Sequence, residues 1–98
     1  MRAYQIDCRQ IRSYGDFIEA CNKGFIESLG GKWNGNLDAF NDYLSWPEPS
    51  PCQLTILGAE RCAKVLDYPR NERDETSLWV SLKGILLENK EWVHVTFQ

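Results

Sequence analysis

Two aspartates, Asp38 and Asp42, stand four positions apart in the segment GNLDAFNDYL, residues 35–44. In a helix this spacing places both carboxylates on one face, where they repel each other by roughly 0.2–0.5 kcal/mol. Asp38 would lie in the first helical turn, where the helix dipole stabilises a carboxylate by about 0.3–1 kcal/mol. Asp42 would lie in the last turn, where the dipole opposes it. A residue that breaks a local rule in this way is a candidate functional group.

A pair of carboxylates can exchange protons with a substrate or bind the cationic groups of a partner. Proton transfer requires a cleft and a raised pKa, and two aspartates on an exposed helix face provide neither. The sequence also contains no glycine-rich phosphate loop, no C-x-x-C motif and no nucleophile elbow. We therefore do not expect an enzyme. An ordinary solvated helix face and a binding surface for a basic partner both remain open.

The distribution of charge favours a basic partner. The net charge is −3, but residues 1–13 carry +2 and residues 14–60 carry −5. No lysine or arginine occurs from Trp33 to Cys52. The acids of that stretch are Asp38, Asp42 and Glu48. Such a surface attracts cations and repels phosphate, so direct binding to nucleic acid is disfavoured.

Length and composition predict a single globular domain over residues 1–98. The hydrophobic fraction is 43%, which suits a packed core. The first ten residues, MRAYQIDCRQ, lack the apolar run of a signal peptide, and no stretch of the sequence is apolar enough to span a membrane. We therefore expect a cytoplasmic protein that does not bind membranes.

The cysteine and histidine positions predict neither a metal site nor a cofactor. The four cysteines are separated by 13, 31 and 10 positions, which matches no zinc or redox motif. Free, buried thiols are expected in a reducing compartment. The sequence has one histidine, His94, and no two potential metal ligands share a turn.

Hydrophobic periodicity and turn residues predict seven elements in the order β-α-α-β-α-α-β. The predicted strands cover residues 3–8, 52–57 and 92–97. The predicted helices run from the Ser13 cap to Gly30, over 37–44, over 59–66, and from Thr76 or Ser77 to about Asn89. Parallel strands need long crossovers, and helices supply them. The expected fold is an α/β sandwich: a three-stranded parallel sheet packed by about four helices, most of them on one face.

The carboxylate pair would lie on the short helix 37–44, which Asn36 is well suited to cap and Trp46-Pro47 should end. Phe40 and Leu44 oppose its polar face and are expected in the core. Trp33 and Trp46 flank the helix in loops, where an exposed tryptophan is a candidate interface anchor.

An aromatic residue, a glycine-containing turn, an asparagine cap and then Asp-Ala with a second aspartate four positions after the first together resemble the recognition segment of the barstar family. Members of this family are intracellular inhibitors of secreted ribonucleases. The segment IRSYGDF, residues 11–17, resembles the start of the family's first helix, and the predicted order of elements agrees with its fold. The chain departs from the family at Asn41, where an aromatic residue usually precedes the second aspartate.

The resemblance implies that the helix 37–44 and the loop before it enter a nuclease active site. Asp42 would stand in for the RNA phosphate, Asp38 would lie at the mouth of the site, and Asn36 and Leu37 would form the junction of loop and helix. The implied partner-binding residues are Trp33, Asn36, Leu37, Asp38, Asn41, Asp42, Ser45 and Trp46. The implied partner is a basic ribonuclease or nuclease-toxin domain in a 1:1 complex, with this chain as its immunity protein. The alternative is a binding module of the same fold whose partner is not a ribonuclease.

Overall fold

A computed structural model describes residues 2–45, 50–69 and 73–98 of the chain, and it has the predicted α/β architecture. Its strands are β1 (Ala3–Asp7), β2 (Cys52–Leu57) and β3 (Val93–Phe97). Its helices are α1 (Tyr14–Gly24), α2 (Leu37–Leu44), α3 (Ala59–Val65) and α4 (Leu78–Glu88), with a short 3-10 helix at Ile26–Leu29. The strands pair in the order β1-β2-β3, and both pairings are parallel, as predicted.

The sheet buries one face and exposes most of the other. Ile6, Ile56 and Phe97 lie side by side in register, and the residues that share their face are buried or partly buried. On the opposite face Gln5 and His94 are exposed. Parallel sheets are usually covered on both faces. Here the strands alternate between apolar and polar residues, because the helices pack against one face.

The first helix is shorter than predicted. Ser13 caps it, since its hydroxyl accepts a hydrogen bond from the Asp16 N–H at 3.1 Å. The helix ends at Gly24, whose Cα lies so close to β1 that a Cβ would stand 2.1 Å from the Gln5 carbonyl oxygen. The chain leaves helical geometry at Phe25 and continues as the 3-10 helix. The prediction of one helix to Gly30 is wrong because the periodicity persists across this break.

The other elements agree with the predicted bounds to within one residue. Ser77 caps α4 by accepting a hydrogen bond from the Val80 N–H at 3.2 Å. Within α4 the buried residues are Leu78, Trp79, Leu82 and Leu86. Among the described residues, no helix combines the length and the apolar character needed to cross a membrane.

All four cysteines are buried with free thiols, as predicted. They belong to the core cluster under the covered face of the sheet. Burial raises the pKa of the Cys21 thiol well above its ordinary value, because a thiolate in an apolar core loses its hydration. This thiol is therefore held in its unreactive, protonated form.

Candidate partner-binding site

Helix α2 is short, and local contacts define both its start and its orientation. It contains eight residues, fewer than an isolated helix needs for stability in water. The Asn36 side chain caps it by accepting a hydrogen bond from the Ala39 N–H at 3.0 Å. Phe40 and Leu44 are buried at 1% and 0% exposure, as predicted, so the helix is anchored along one side. The opposite side is presented to solvent.

The two aspartates lie on that exposed side. Asp38 is in the first turn of α2, and Asp42 lies one turn later. Within residues 2–45, 50–69 and 73–98, neither carboxylate forms an ion pair or a hydrogen bond. The mutual repulsion inferred from their spacing is therefore not relieved by any cation of the described chain.

The loop before α2, residues 31–36, is held by side chains from both neighbouring helices. The Tyr14 hydroxyl of α1 donates to the Gly35 carbonyl at 2.7 Å. The Tyr43 hydroxyl of α2 lies 3.3 Å from the backbone nitrogen of Lys32 and 3.2 Å from its carbonyl oxygen. Loops usually depend on water for their backbone hydrogen bonds. This one is attached at both of its ends to protein side chains.

Two glycines allow the loop to fit its surroundings. At Gly31 a Cβ would stand 2.4 Å from the Tyr43 ring, so only a bare Cα fits there. Gly35 has φ +101°, a conformation that residues with a Cβ rarely adopt. A Cβ on Gly35 would also lie 2.7 Å from the Ile18 side chain. The glycine-containing turn is thus required by packing and by backbone geometry.

Trp33 is not an exposed anchor, and that expectation is wrong. Its side chain is 1% exposed. Its ring packs against Phe40, with 4.6 Å between ring centroids, and against Phe17 and Tyr14. Its indole Nε1 donates to the Asn36 carbonyl at 2.7 Å. Trp33 therefore supports the loop from below, because its large apolar ring is more stable in the core than in water.

Asn41 and Ser45 link α2 to the end of α4. The Asn89 Nδ2 group donates to Asn41 Oδ1 at 2.9 Å, and Asn89 itself is only 7% exposed. The Ser45 hydroxyl lies 2.9 Å from the Asn41 carbonyl and 3.2 Å from Asn89 Oδ1. Both predicted partner contacts thus have partners within the chain, and they fasten the C-terminal end of α2.

The remaining predicted site residues differ in position. Asn36 is exposed, and its side-chain oxygen is used by the helix cap. Leu37 is partly buried and packs against the core. Trp46 lies outside the described residues. Asp38 and Asp42 are therefore the predicted site residues whose functional atoms are exposed and without partners in the described chain.

Sequence reasoning missed Asn22, which pairs with the backbone of Trp33. Asn22 lies four positions after Ile18 and three before Phe25, within the apolar stripe of the predicted helix. A polar residue at such a position must find a hydrogen-bond partner when it is buried. That rule would have marked Asn22 as a structural contact, although it would not have named Trp33.

The carboxylate pair lies outside the open cleft that runs beside α1. That cleft has a volume of about 790 Å³ and mixed charges, including Asp7, Arg9, Asp16 and Lys23. Neither Asp38 nor Asp42 lines it. Enzyme sites are usually concave. The carboxylates instead stand on an exposed helix, from which they can reach into a cavity of another molecule.

The arrangement can accept hydrogen bonds from cationic groups, and it offers no metal site. In the described parts of the chain, no three His, Cys, Asp or Glu side chains are placed to hold a metal ion.

No model of a known protein family matches the chain. A search among curated proteins likewise finds no relative.

Proposed function

We propose that this chain inhibits a ribonuclease by placing α2 and the loop 31–36 in the active site of the enzyme. Inhibitors of the barstar family, which the recognition segment resembles, act in this way. The observation that carries the proposal is the state of Asp38 and Asp42. Both are exposed, neither has a partner among the described residues, and both stand on a helix that is fixed at each end.

The chemistry of a ribonuclease explains why two such carboxylates would be kept. Its active site binds the phosphate of RNA, so it presents arginine, lysine or histidine groups. A carboxylate can take the place of the phosphate and accept charge-assisted hydrogen bonds, which are about twice as strong as neutral ones. The repulsion between Asp38 and Asp42 is relieved in the complex, because cations then lie beside both.

The fixed conformation of the loop 31–36 supports the same proposal. Ordering a flexible loop on binding costs free energy, about 0.5–1.5 kcal/mol for each immobilised side chain. Here the loop is already held at Lys32, Trp33 and Gly35 by side chains of α1 and α2. A surface that is ordered before binding keeps more of its interaction energy as affinity.

The proposed partner is a basic ribonuclease or nuclease-toxin domain, bound 1:1. In this role the chain is an immunity protein that protects cellular RNA in the cytoplasm. The lack of lysine and arginine between Trp33 and Cys52 favours such a partner over RNA itself, because the acidic surface repels phosphate.

An RNA-cleavage assay with a purified basic bacterial ribonuclease tests the proposal. Increasing amounts of the chain should abolish cleavage with an endpoint of one inhibitor per enzyme. Excess RNA substrate should slow the onset of inhibition, because both compete for one site. The matched control is the double variant Asp38→Asn with Asp42→Asn, which keeps the side-chain shapes and removes both charges.

Two outcomes contradict the proposal. If the double variant inhibits as well as the unmodified chain, the carboxylates are not the inhibitory groups. If the chain leaves a panel of basic ribonucleases active but binds another basic protein through the same aspartates, the fold serves as a binding module for a different class of partner.

A further inference from the structure

We infer that Asn22 is a positioning residue that determines where α2 begins and how Asp38 is presented. This inference rests on the proposed function for its binding consequence, but its structural part can be tested on the free protein. Asn22 lies on α1 and belongs to none of the predicted partner contacts.

The Asn22 side chain forms hydrogen bonds with the backbone N–H and carbonyl of Trp33, in the middle of the loop 31–36. Its Nδ2 group donates to the Trp33 carbonyl at 2.9 Å, and its Oδ1 accepts from the Trp33 N–H at 2.7 Å. No backbone group in the described chain bonds to either of these Trp33 atoms. This pair of hydrogen bonds resembles one rung of a strand pairing, with the side-chain carboxamide of Asn22 in place of a peptide group.

The two bonds are buried, and this makes them hard to replace. Asn22 is 7% exposed and Trp33 is 1% exposed. When a buried hydrogen bond is broken, water does not readily take the place of the lost partner, and the remaining group is left unsatisfied. The Tyr43 contact with Lys32 is exposed and longer, at 3.2–3.3 Å, so water can substitute for it.

A chain of hydrogen bonds connects Asn22 to the first turn of α2. Asn22 holds the Trp33 backbone, and the Trp33 indole donates to the Asn36 carbonyl at 2.7 Å. The Asn36 side chain then caps α2 through the Ala39 N–H. Asp38 lies within this capped turn. A loosened Trp33 therefore weakens the cap and allows Asp38 to move.

Two variants separate the parts of this contact. Asn22→Asp keeps the shape and the acceptor for the Trp33 N–H, but it removes the donor and places a charge near the Trp33 carbonyl. Asn22→Leu has a similar size and removes both bonds. Asn22→Asp carries the test if Asn22→Leu does not fold. The control is Arg61→Ala, which removes the bond from Arg61 Nε to the Ile11 carbonyl, away from the loop.

Amide hydrogen exchange on the free protein decides the structural part. In Asn22→Asp, the amides of Ala39 and Phe40 should exchange at least about tenfold faster, which corresponds to the loss of one hydrogen bond. The amides of Leu54 and Ile56 in β2 should change much less. Equal acceleration in α2 and β2 would mean that Asn22 only stabilises the fold as a whole, and it would overturn the inference.

Binding to a basic bacterial ribonuclease decides the functional part. Under conditions in which each variant is folded, Asn22→Asp should bind at least about tenfold more weakly than the unmodified chain. Arg61→Ala should bind like the unmodified chain. Equal affinity of Asn22→Asp and the unmodified chain overturns the inference. If the unmodified chain does not bind, the proposed function fails, and hydrogen exchange alone decides whether Asn22 positions α2.

Discussion

The end of β1 and the exposed face of α2 both display aspartates, but the two regions use them differently. Asp7 is the last residue of β1 and is exposed, yet Arg9 forms an ion pair and hydrogen bonds with its carboxylate. Asp7 Oδ1 accepts from the Arg9 backbone N–H at 3.1 Å and from Nε at 2.9 Å, and Oδ2 accepts from Nη2 at 2.8 Å. Asp38 and Asp42 have no such partner in the described chain.

The difference shows that exposure alone does not identify a functional carboxylate. The hydrogen bonds from Arg9 lower the pKa of Asp7 to about 2, so this group already has its counterion. A partner would have to break those bonds before it could bind Asp7. Asp42 needs no such step. The following predictions test whether the internal partner, or its absence, separates a structural acid from a binding acid.

Asp42→Ala should have the largest effect. Truncation of an interface hot spot costs about 2 kcal/mol or more of binding free energy. The free energy of unfolding of the isolated variant should be unchanged or raised by a few tenths of a kcal/mol, because the repulsion from Asp38 is removed. Calorimetric titration with the ribonuclease that the chain inhibits measures the binding free energy. Urea denaturation measures the free energy of unfolding. Asp7→Ala is the matched control and should bind normally.

Loss of stability without loss of inhibition would reverse the assignment of Asp42. If Asp42→Ala unfolds more easily by more than about 1 kcal/mol, the typical cost of a destabilising point mutation, while inhibition survives, Asp42 is structural. The contrast with Asp7 would then disappear.

Salt should slow association of the unmodified chain with the ribonuclease by about tenfold or more between low and high ionic strength. The reason is that exposed, unneutralised carboxylates attract a basic partner over long distances. At an ionic strength of 0.1 M, salt screens this attraction beyond about 10 Å. Stopped-flow measurements at several salt concentrations give this rate. The double variant Asp38→Asn with Asp42→Asn should show a shallower dependence, and equal slopes would contradict the role of these charges.

Asp38→Ala should affect folding and binding together, each moderately. Asp38 lies in the first turn of α2, so its removal should cost about 0.3–1 kcal/mol of stability through the helix dipole, less the repulsion that is relieved. Binding should weaken by less than in Asp42→Ala. Thermal unfolding and binding of the two variants measured side by side decide this. An Asp38→Ala variant that is more stable by about 0.5 kcal/mol, the gain expected from relieved repulsion alone, would contradict the dipole argument.

Asp7→Asn should have the smallest effect, and its stability should differ from that of the unmodified chain above pH 3.8 and become equal to it in acid. The pKa of Asp7 is lowered from 3.8 to about 2 by Arg9, so its ion pair stabilises the native state above pH 3.8. That contribution is lost as the pH falls through about 2. Urea denaturation between pH 5 and pH 2 should therefore show a steeper loss of stability in the unmodified chain than in the variant. Identical profiles would mean that this exposed pair is screened by solvent.

The fold follows largely from local signals in the sequence. The segment CQLTIL predicts β2 to the residue, and the candidate caps Ser13, Asn36 and Thr76 or Ser77 place the starts of three helices to within one residue. These signals are short-range, since a capping side chain acts within three residues of itself. The end of α1 could not be predicted in the same way, because the close contact of Gly24 with Gln5 joins two distant segments.

In the candidate site, too, some features could be predicted from local sequence and others depend on contacts between distant segments. Asp38 and Asp42 could be selected from their spacing and from the charges around them, because electrostatic penalties within one helix depend on sequence alone. Trp33 could not be assigned, since a tryptophan in a loop can face either core or solvent. Contacts with Phe40 and Phe17 decide that it is buried.

By itself, then, the sequence determined the order of elements, the parallel sheet, the capped helix α2 and its unusual pair of acids. Tertiary structure alone decided which polar groups are already satisfied. Asn41 and Ser45 meet Asn89, which is more than 40 positions away in the chain, and Asn22 meets Trp33 eleven positions later. The physical reason is that a hydrogen bond depends on distance and direction in space, which sequence spacing specifies only within a single helix or turn.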